Sequence, residues 1–202
     1  IRIANIIKNA IEKFELLESL LKELGRDISH TIIYCSPNQI ERVMNVVSKY
    51  GIIAHRFTMK EGTTPESKYG GISQRDFILN NFTEGKYRLL VSMRCLDEGV
   101  DIPSTKRAIL MSSSGNPREY IQRIGRVIRR DESKNVAEIY DFVTIPLLSR
   151  VSYELRDIEI KIFTKELSRY VEIAETALNR AEVLSKIYDI KNRIMGNLKV
   201  NE

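Results

Sequence analysis

The sequence has little of the chemistry that builds metal centres or disulfide frameworks, because its 202 residues include only two cysteines and two histidines. Cys35 and Cys95 both lie in apolar, strand-like stretches, and neither has a second cysteine or histidine at metal-ligand spacing. His30 and His55 are isolated from acidic and cysteine partners. We therefore predict reduced, buried cysteines, no metal site on this chain and a cytoplasmic location.

Long apolar runs are also missing. No stretch approaches the roughly 18 apolar residues that a membrane helix needs, and the N-terminus lacks the layout of a signal peptide, so we predict no membrane contact. The excess of 32 Lys and Arg over 27 Asp and Glu gives a net charge of +5, which fits a nucleic-acid or nucleotide ligand without requiring one. The length predicts one domain with one core and an appendage.

Helix-forming and strand-forming stretches alternate over the first 146 residues. Apolar residues recur at helical spacing up to Leu24, and Ser36-Pro37 and Ser73 with Asp76 supply helix starts. A long loop is predicted between them over Thr58–Gly71. The predicted strands are Thr31–Cys35, Ile52–Phe57, Tyr87–Ser92, Lys106–Met111 and Val136–Val143. This alternation predicts an α/β fold, with a parallel sheet covered by helices on both faces.

After Pro146 the sequence becomes charged and helix-forming, with apolar residues at helical spacing. One unbroken helix over Tyr153–Met195 would be about 60 Å long, so we expect a break or a helix that projects towards a further partner. The alternative is a cap that buries its apolar stripe on the sheet. The predicted divisions are a leading helix (1–28), a sheet domain (29–147) and a helical extension (148–202).

One basic stretch, residues 122–130, is organised as a two-sided helix. At about 100° per residue, Gln122, Arg126 and Arg129 fall within roughly 60° of one another, while the isoleucines of the stretch occupy a separate apolar face. Gly125 would allow close approach of a backbone or a phosphate. Arginine suits phosphate because its planar fork binds oxygens bidentately and stays charged. A solvated basic face is the simpler alternative.

An apolar strand upstream ends in the acidic turn Asp97-Glu98-Gly99-Val100-Asp101. The order of strand, acidic turn, strand and arginine helix resembles motifs V and VI of superfamily II helicases and translocases. The match is to their second RecA-like domain, over about Thr31 to Pro146. Gln122 stands where DEAD-box proteins have a histidine, and the acidic turn replaces their arginine–glycine version. The chain is therefore more similar to the DNA-directed branch of repair helicases and restriction-enzyme motor subunits.

The resemblance implies a role for each motif residue. Gly99 and Asp101 would face the nucleotide, with the Asp101 carboxylate near the ribose hydroxyls, although a tight turn capped by Asp101 is the structural alternative. Arg126 and Arg129 would be arginine fingers that reach the γ-phosphate across an interdomain cleft, and Gln122 would help to sense it. Preorganised cations stabilise the charge of a phosphoryl group in transfer. Arg123 and Arg130 point about 90° away from this face.

Nucleic acid, with DNA favoured, is expected across the loops after the first strands. Ser36, Arg94 and backbone amides would contact its phosphates, but Ser36 is at least as well suited to being a helix N-cap. Met93 occupies a place where many relatives have a threonine that reaches a phosphate, so the sequence departs from the family at this contact.

The ATP-binding half of such a motor does not occur in these 202 residues. The pattern G-x-x-x-x-G-K-[ST] is missing, and the pair Asp97-Glu98 lacks the strand order and Walker A partner of a DExx motif. We therefore expect ATP and Mg²⁺ to be held mainly by a separate N-terminal RecA-like motor domain. The chain alone should be inactive as an ATPase. The alternatives are a nucleic-acid-binding module without motor activity and an interaction fragment that works through its C-terminal helix.

Overall fold

The computed structural model describes residues 10–93, 102, 104–111, 125, 136–146 and 152–199. In chain order the strands are β1 (Thr31–Tyr34), β2 (Ala54–Phe57), β3 (Pro65–Glu66), β4 (Ile72–Ser73), β5 (Leu89–Ser92), β6 (Arg107–Leu110) and β7 (Glu138–Asp141). The helices are α1 (Glu12–Leu24), α2 (Ile40–Lys49), α3 (Gln74–Thr83), α4 (Tyr153–Ala174) and α5 (Arg180–Lys199). The chain divides into two compact units, Ile1–Phe142 and Val143–Glu202.

The first unit is built on a five-stranded parallel sheet in the order β2-β5-β1-β6-β7. Every residue of β1, β5 and β6 is buried, as expected for central strands covered on both faces. On one face Ile33, Val91 and Ile109 join a cluster with residues of α1 and α2. The alternate strand residues point to the other face, and α3 buries Ile78 and Phe82. The predicted RecA-like α/β fold is confirmed.

The prediction of a single core is wrong. The second unit has its own cluster of buried residues, in which Phe163, Leu167 and Tyr170 of α4 pack with Ile187 and Ile194 of α5. The expected break in the long helix is confirmed, since α4 ends at Ala174 and α5 begins at Arg180. A turn between the two helices lets them bury their apolar stripes against each other.

Several bounds in the first unit also differ from prediction: β5 begins at Leu89 rather than at Tyr87, and the last strand spans Glu138–Asp141 rather than Val136–Val143. The second strand begins at Ala54 rather than at Ile52, because the ladder with β5 begins at the pair Ala54 and Leu89. The predicted loop Thr58–Gly71 contains β3, which pairs antiparallel with β4 just beyond the loop, with Glu66 opposite Ile72. Two-residue strands have no periodicity that a sequence pattern could reveal.

Within the described residues, no helix is both long enough and apolar enough to cross a lipid bilayer.

An ion pair joins the first residues of β6 and β7. Arg107 Nε donates to Glu138 Oε2 at 2.7 Å, and the Tyr140 hydroxyl donates to the same oxygen at 3.2 Å. Arg107 is buried, whereas the Glu138 side chain is about half exposed. The hydrogen bond from Arg107 holds the pKa of Glu138 below its ordinary value, although partial burial opposes the shift.

This pair makes the stability of the sheet depend on pH. Glu138→Gln should lower the free energy of unfolding at pH 7 by about 1 kcal/mol or less, since one partner is half exposed. A lowered folded pKa contributes stability above the unfolded glutamate pKa, roughly 4.3, and loses it as pH falls through the folded value. Denaturant titrations at pH 7 and pH 3 would measure this, and an equal difference at both pH values would contradict it.

Candidate functional site

The carboxyl ends of the five parallel strands lie side by side. Tyr34 of β1 is in register with Ser92 of β5 on one side and with Leu110 of β6 on the other. Outside these, Phe57 is paired with Ser92 and Asp141 with Leu110. In parallel α/β sheets this edge is where ligands bind. The segments that leave these five strand ends therefore begin next to one another.

The exit of β1 is fixed by a capping box. Ser36 is the N-cap of a short 3₁₀ helix, Pro37–Gln39, that leads directly into α2. The Ser36 N–H donates to Gln39 Oε1 at 2.9 Å, and the Ser36 side chain faces the Gln39 backbone N–H in return. Ser36 is half-buried and Gln39 is almost completely buried. The structural alternative for Ser36 is therefore realised, while its predicted phosphate contact stays a prediction.

Cys35, which precedes Ser36, has a buried and unreactive thiol. Its side chain belongs to the core cluster under α1 and α2, and its backbone N–H donates to the Ser92 carbonyl oxygen at 3.0 Å. Burial raises the pKa of the Cys35 thiol to about 12. A thiol that stays protonated at neutral pH is a poor nucleophile and a poor metal ligand.

The exit of β2 is ordered by a buried carboxylate. Glu61 accepts the Thr58 backbone N–H at 2.6 Å and the Thr58 hydroxyl at 3.0 Å. The Gly62 N–H then donates to Gln74 Oε1 at 3.2 Å, and the Arg75 guanidinium lies 5.2 Å from the centre of the Phe57 ring. These contacts tie the loop to the start of α3. Gln74 and Arg75 thus have structural contacts at this edge.

The exit of β6 is held from two sides. The Met111 N–H donates to the Tyr34 carbonyl oxygen at 2.9 Å, which extends the ladder with β1 by one residue. The Met111 carbonyl oxygen accepts a hydrogen bond from Lys13 Nζ at 2.8 Å, and Lys13 is only 6% exposed. Sequence reasoning missed Lys13, because a lysine within an amphipathic helix is normally assigned to the solvent side.

Most of the predicted site residues lie outside the described residues. These are Arg94, Gly99, Asp101, Gln122, Arg126 and Arg129. The segment with the first three follows Met93, which packs against the core cluster, and ends before the buried Ile102. The segment with the other three follows Met111. Both segments therefore start at the edge where Ser36 lies.

Gly125 is described within the arginine stretch, and it is helical and half-buried. No described atom lies within 4 Å of a Cβ placed on it, so packing among the described residues does not require a glycine there. Among the residues that the structure describes, no group of three or more His, Cys, Asp or Glu residues is placed to hold a metal ion.

The doubly covered parallel sheet with the order β2-β5-β1-β6-β7 has a RecA-like α/β fold, in which ligands are expected at the carboxyl ends of the strands. The family model described as "Helicase conserved C-terminal domain" matches residues 12–131, more than half of the chain. The chain belongs to this family, the second RecA-like domain of superfamily II helicases and translocases.

Its relatives include both DNA- and RNA-directed proteins. The DNA 3'-5' translocase XPB2 of Sulfurisphaera tokodaii is 27% identical over 130 residues, which cover 64% of this chain and 26% of the relative. The ATP-dependent RNA helicase DBP5 of Kluyveromyces lactis is 30% identical over 129 residues, which cover 59% of this chain and 28% of the relative. The chain thus spans about a quarter of the length of these relatives.

Solved structures support the fold. The C-terminal domain of the DEAD-box protein Dbp5 superposes with a TM-score of 0.52 at 20% identity, covering 77% of this chain and 81% of that one. The C-terminal part of the Fun30 ATPase domain gives a TM-score of 0.53 at 16% identity, covering 77% and 54%.

Removing the Ser36 hydroxyl should distinguish its role as a helix N-cap from its predicted phosphate contact. Ser36→Ala should lower the free energy of unfolding by about 1 kcal/mol, because the capping box loses its hydroxyl. Ser36→Thr, which keeps a capping hydroxyl, is the matched control and should lose much less. Denaturant unfolding measures this effect, and an unchanged midpoint in Ser36→Ala would contradict the cap. A loss of nucleic-acid affinity beyond that of equally destabilised variants would reveal the predicted phosphate contact.

Proposed function

We propose that this chain is the C-terminal motor domain of an ATP-dependent superfamily II helicase or translocase. It would close on an N-terminal RecA-like motor domain when ATP binds and open after hydrolysis. The observation that carries the proposal is the strand register at the carboxyl edge, where Ser92, Tyr34 and Leu110 lie side by side. The segments that contain the acidic turn and the arginine stretch leave the two flanking strands after Met93 and Met111, so each of these segments starts from this edge.

In this proposal the two segments contact different parts of the nucleotide. Gly99 and Asp101 would approach the ribose, and Gln122 would sense the γ-phosphate. Arg126 and Arg129 would supply cations to the phosphoryl group, and an arginine of this kind is worth roughly 10³ to 10⁵ in rate. The chemistry that ATP and Mg²⁺ supply is phosphoryl transfer to water, with both held mainly by the N-terminal motor domain.

The chain by itself is proposed to be inactive as an ATPase. None of its 202 residues forms a Walker A pattern, which would supply the phosphate-cradling backbone and its lysine. Arginine fingers act on a phosphoryl group that another surface has already bound and oriented. Activity would therefore appear only in the intact polypeptide.

Removing one finger should slow hydrolysis strongly while nucleotide binding is retained. In the intact polypeptide, Arg126→Ala should lower the kcat for nucleic-acid-stimulated ATP hydrolysis by roughly 10³-fold or more. Arg130→Ala, which removes an arginine expected to point about 90° away in the helix, is the matched control and should stay near wild type. Unchanged hydrolysis in Arg126→Ala would overturn the motor assignment, and equal losses in both variants would overturn the assignment of the finger.

The nucleic acid is proposed to be DNA, contacted through Ser36 and Arg94. Support comes from Gln122 and from the acidic turn at Glu98, which both depart from the DEAD-box pattern. The relative named as a DNA translocase also supports this choice, although RNA helicases are among the relatives.

Stimulation of hydrolysis should therefore be greater with DNA than with RNA of the same sequence. Binding should weaken as salt rises, because phosphate contacts release counterions. Arg94→Ala should reduce the steepness of this salt dependence by roughly one phosphate contact, with Arg26→Ala, which lies before β1, as the control. Stronger stimulation by RNA would indicate that the nucleic acid is RNA. An unchanged salt dependence of binding in Arg94→Ala would contradict a phosphate contact by Arg94.

A further inference from the structure

Lys13 is a charged residue placed in the core-facing stripe of a helix. At about 100° per residue it falls between Leu17 and Leu20 around α1, and both leucines are buried. Its Nζ is nevertheless bonded to the Met111 carbonyl oxygen, 98 residues further along the chain, at 2.8 Å. We propose that Lys13 is a positioning residue for ATP hydrolysis, because it fixes the point at which the chain leaves β6 towards the arginine stretch.

The bond acts on a single peptide at the ligand-facing edge. Met111 is the first residue after β6, and its N–H is already committed to the Tyr34 carbonyl oxygen. Lys13 fixes the opposite polar group of the same residue, so Met111 is held by β1 and by α1 together. The direction of the chain beyond Met111 therefore depends on both contacts.

Helix α1, which carries Lys13, is anchored in the core. Leu17 and Leu21 of α1 are almost completely buried in the same core cluster as Met111. The next residue, Phe14, is also buried, and the Arg42 guanidinium of α2 lies 4.0 Å from the centre of its ring. Because Lys13 itself is only 6% exposed, the side chains around it restrict the positions that its ammonium group can take. Its position relative to β6 is therefore set by the packing of α1.

A buried lysine is energetically unfavourable at this position. Burying an ammonium group costs free energy that an apolar side chain of similar length would avoid. Packing alone would be served by methionine, which is unbranched and fills the same space. What methionine lacks is a donor for the Met111 carbonyl oxygen. In addition to packing, the lysine therefore orients the chain beyond Met111 through its hydrogen bond to the Met111 carbonyl oxygen.

The inference rests on the proposed function, because it matters only if Arg126 and Arg129 act on a phosphoryl group. Their side chains must be placed accurately, since an error of about 1 Å far from the chemistry can cost on the order of 10²-fold in rate. Lys13 is separated from these arginines by more than 110 residues in sequence, and it would act through the backbone at Met111 without contacting the nucleotide.

The test compares Lys13→Met with Lys13→Arg and with the control Lys22→Met, an exposed lysine of the same helix. In the intact polypeptide, Lys13→Met should lower kcat for nucleic-acid-stimulated ATP hydrolysis by about tenfold to 10²-fold, with KM for ATP within about twofold of wild type. Lys13→Arg should recover part of kcat, since it keeps a donor. Lys22→Met should leave kcat unchanged.

A double variant distinguishes positioning from general destabilisation. Because Lys13 acts on the segment that carries both Arg126 and Arg129, adding Lys13→Met to Arg126→Ala should lower kcat by less than the product of the two single losses. Multiplicative losses would overturn the inference, as would an unchanged kcat in Lys13→Met. If Lys13→Met fails to fold, Lys13→Leu, which also lacks a donor for the Met111 carbonyl oxygen, and its double variant with Arg126→Ala are judged by the same criteria. Unchanged hydrolysis in Arg126→Ala alone would instead overturn the proposed function.

Discussion

The alignment of the strand ends is the constraint on which the rest of the structure depends. β1 is paired in parallel with β5 on one side and β6 on the other, in a register that places Tyr34 beside both Ser92 and Leu110. A slip of one residue would exchange the side chains that pack under α1 and α2 for those of the opposite face, and neither set fits the packing of the other. Burial thus fixes the register, and the register brings distant segments of the chain to one edge.

Three of the strand exits at that edge are stabilised by different chemistry. A neutral capping box orders the chain after β1, and the buried carboxylate of Glu61 orders it after β2. The ammonium of Lys13 holds the chain after β6. Each device satisfies backbone groups where the sheet ladder stops, which is a general requirement for buried backbone. The result is a set of fixed starting points for segments that are proposed to contact ligand.

Sequence patterns predicted the elements that rest on periodicity and local signals. The apolar strands, the serine caps at Ser36 and Ser73 and the alternation of strands with helices were all visible in the sequence. What they could not reveal depends on contacts between distant residues. Ile11 belongs to the apolar residues that recur at helical spacing before Leu24 but is 60% exposed. Lys13 is buried, because the Met111 carbonyl oxygen 98 residues away accepts a hydrogen bond from its ammonium group. The separate core of α4 and α5 was missed because helical spacing does not say what a stripe packs against.

The central claim is that the arginine stretch beyond β6 meets the γ-phosphate of ATP. The most direct measurement is an experimental structure of the intact polypeptide bound to nucleic acid and ADP–aluminium fluoride, which mimics the phosphoryl group in transfer. The account predicts that guanidinium nitrogens of Arg126 and Arg129 lie about 2.7 to 2.9 Å from the fluoride ligands, with Asp101 beside the ribose. Guanidinium groups turned to solvent or bound only to nucleic acid would contradict it.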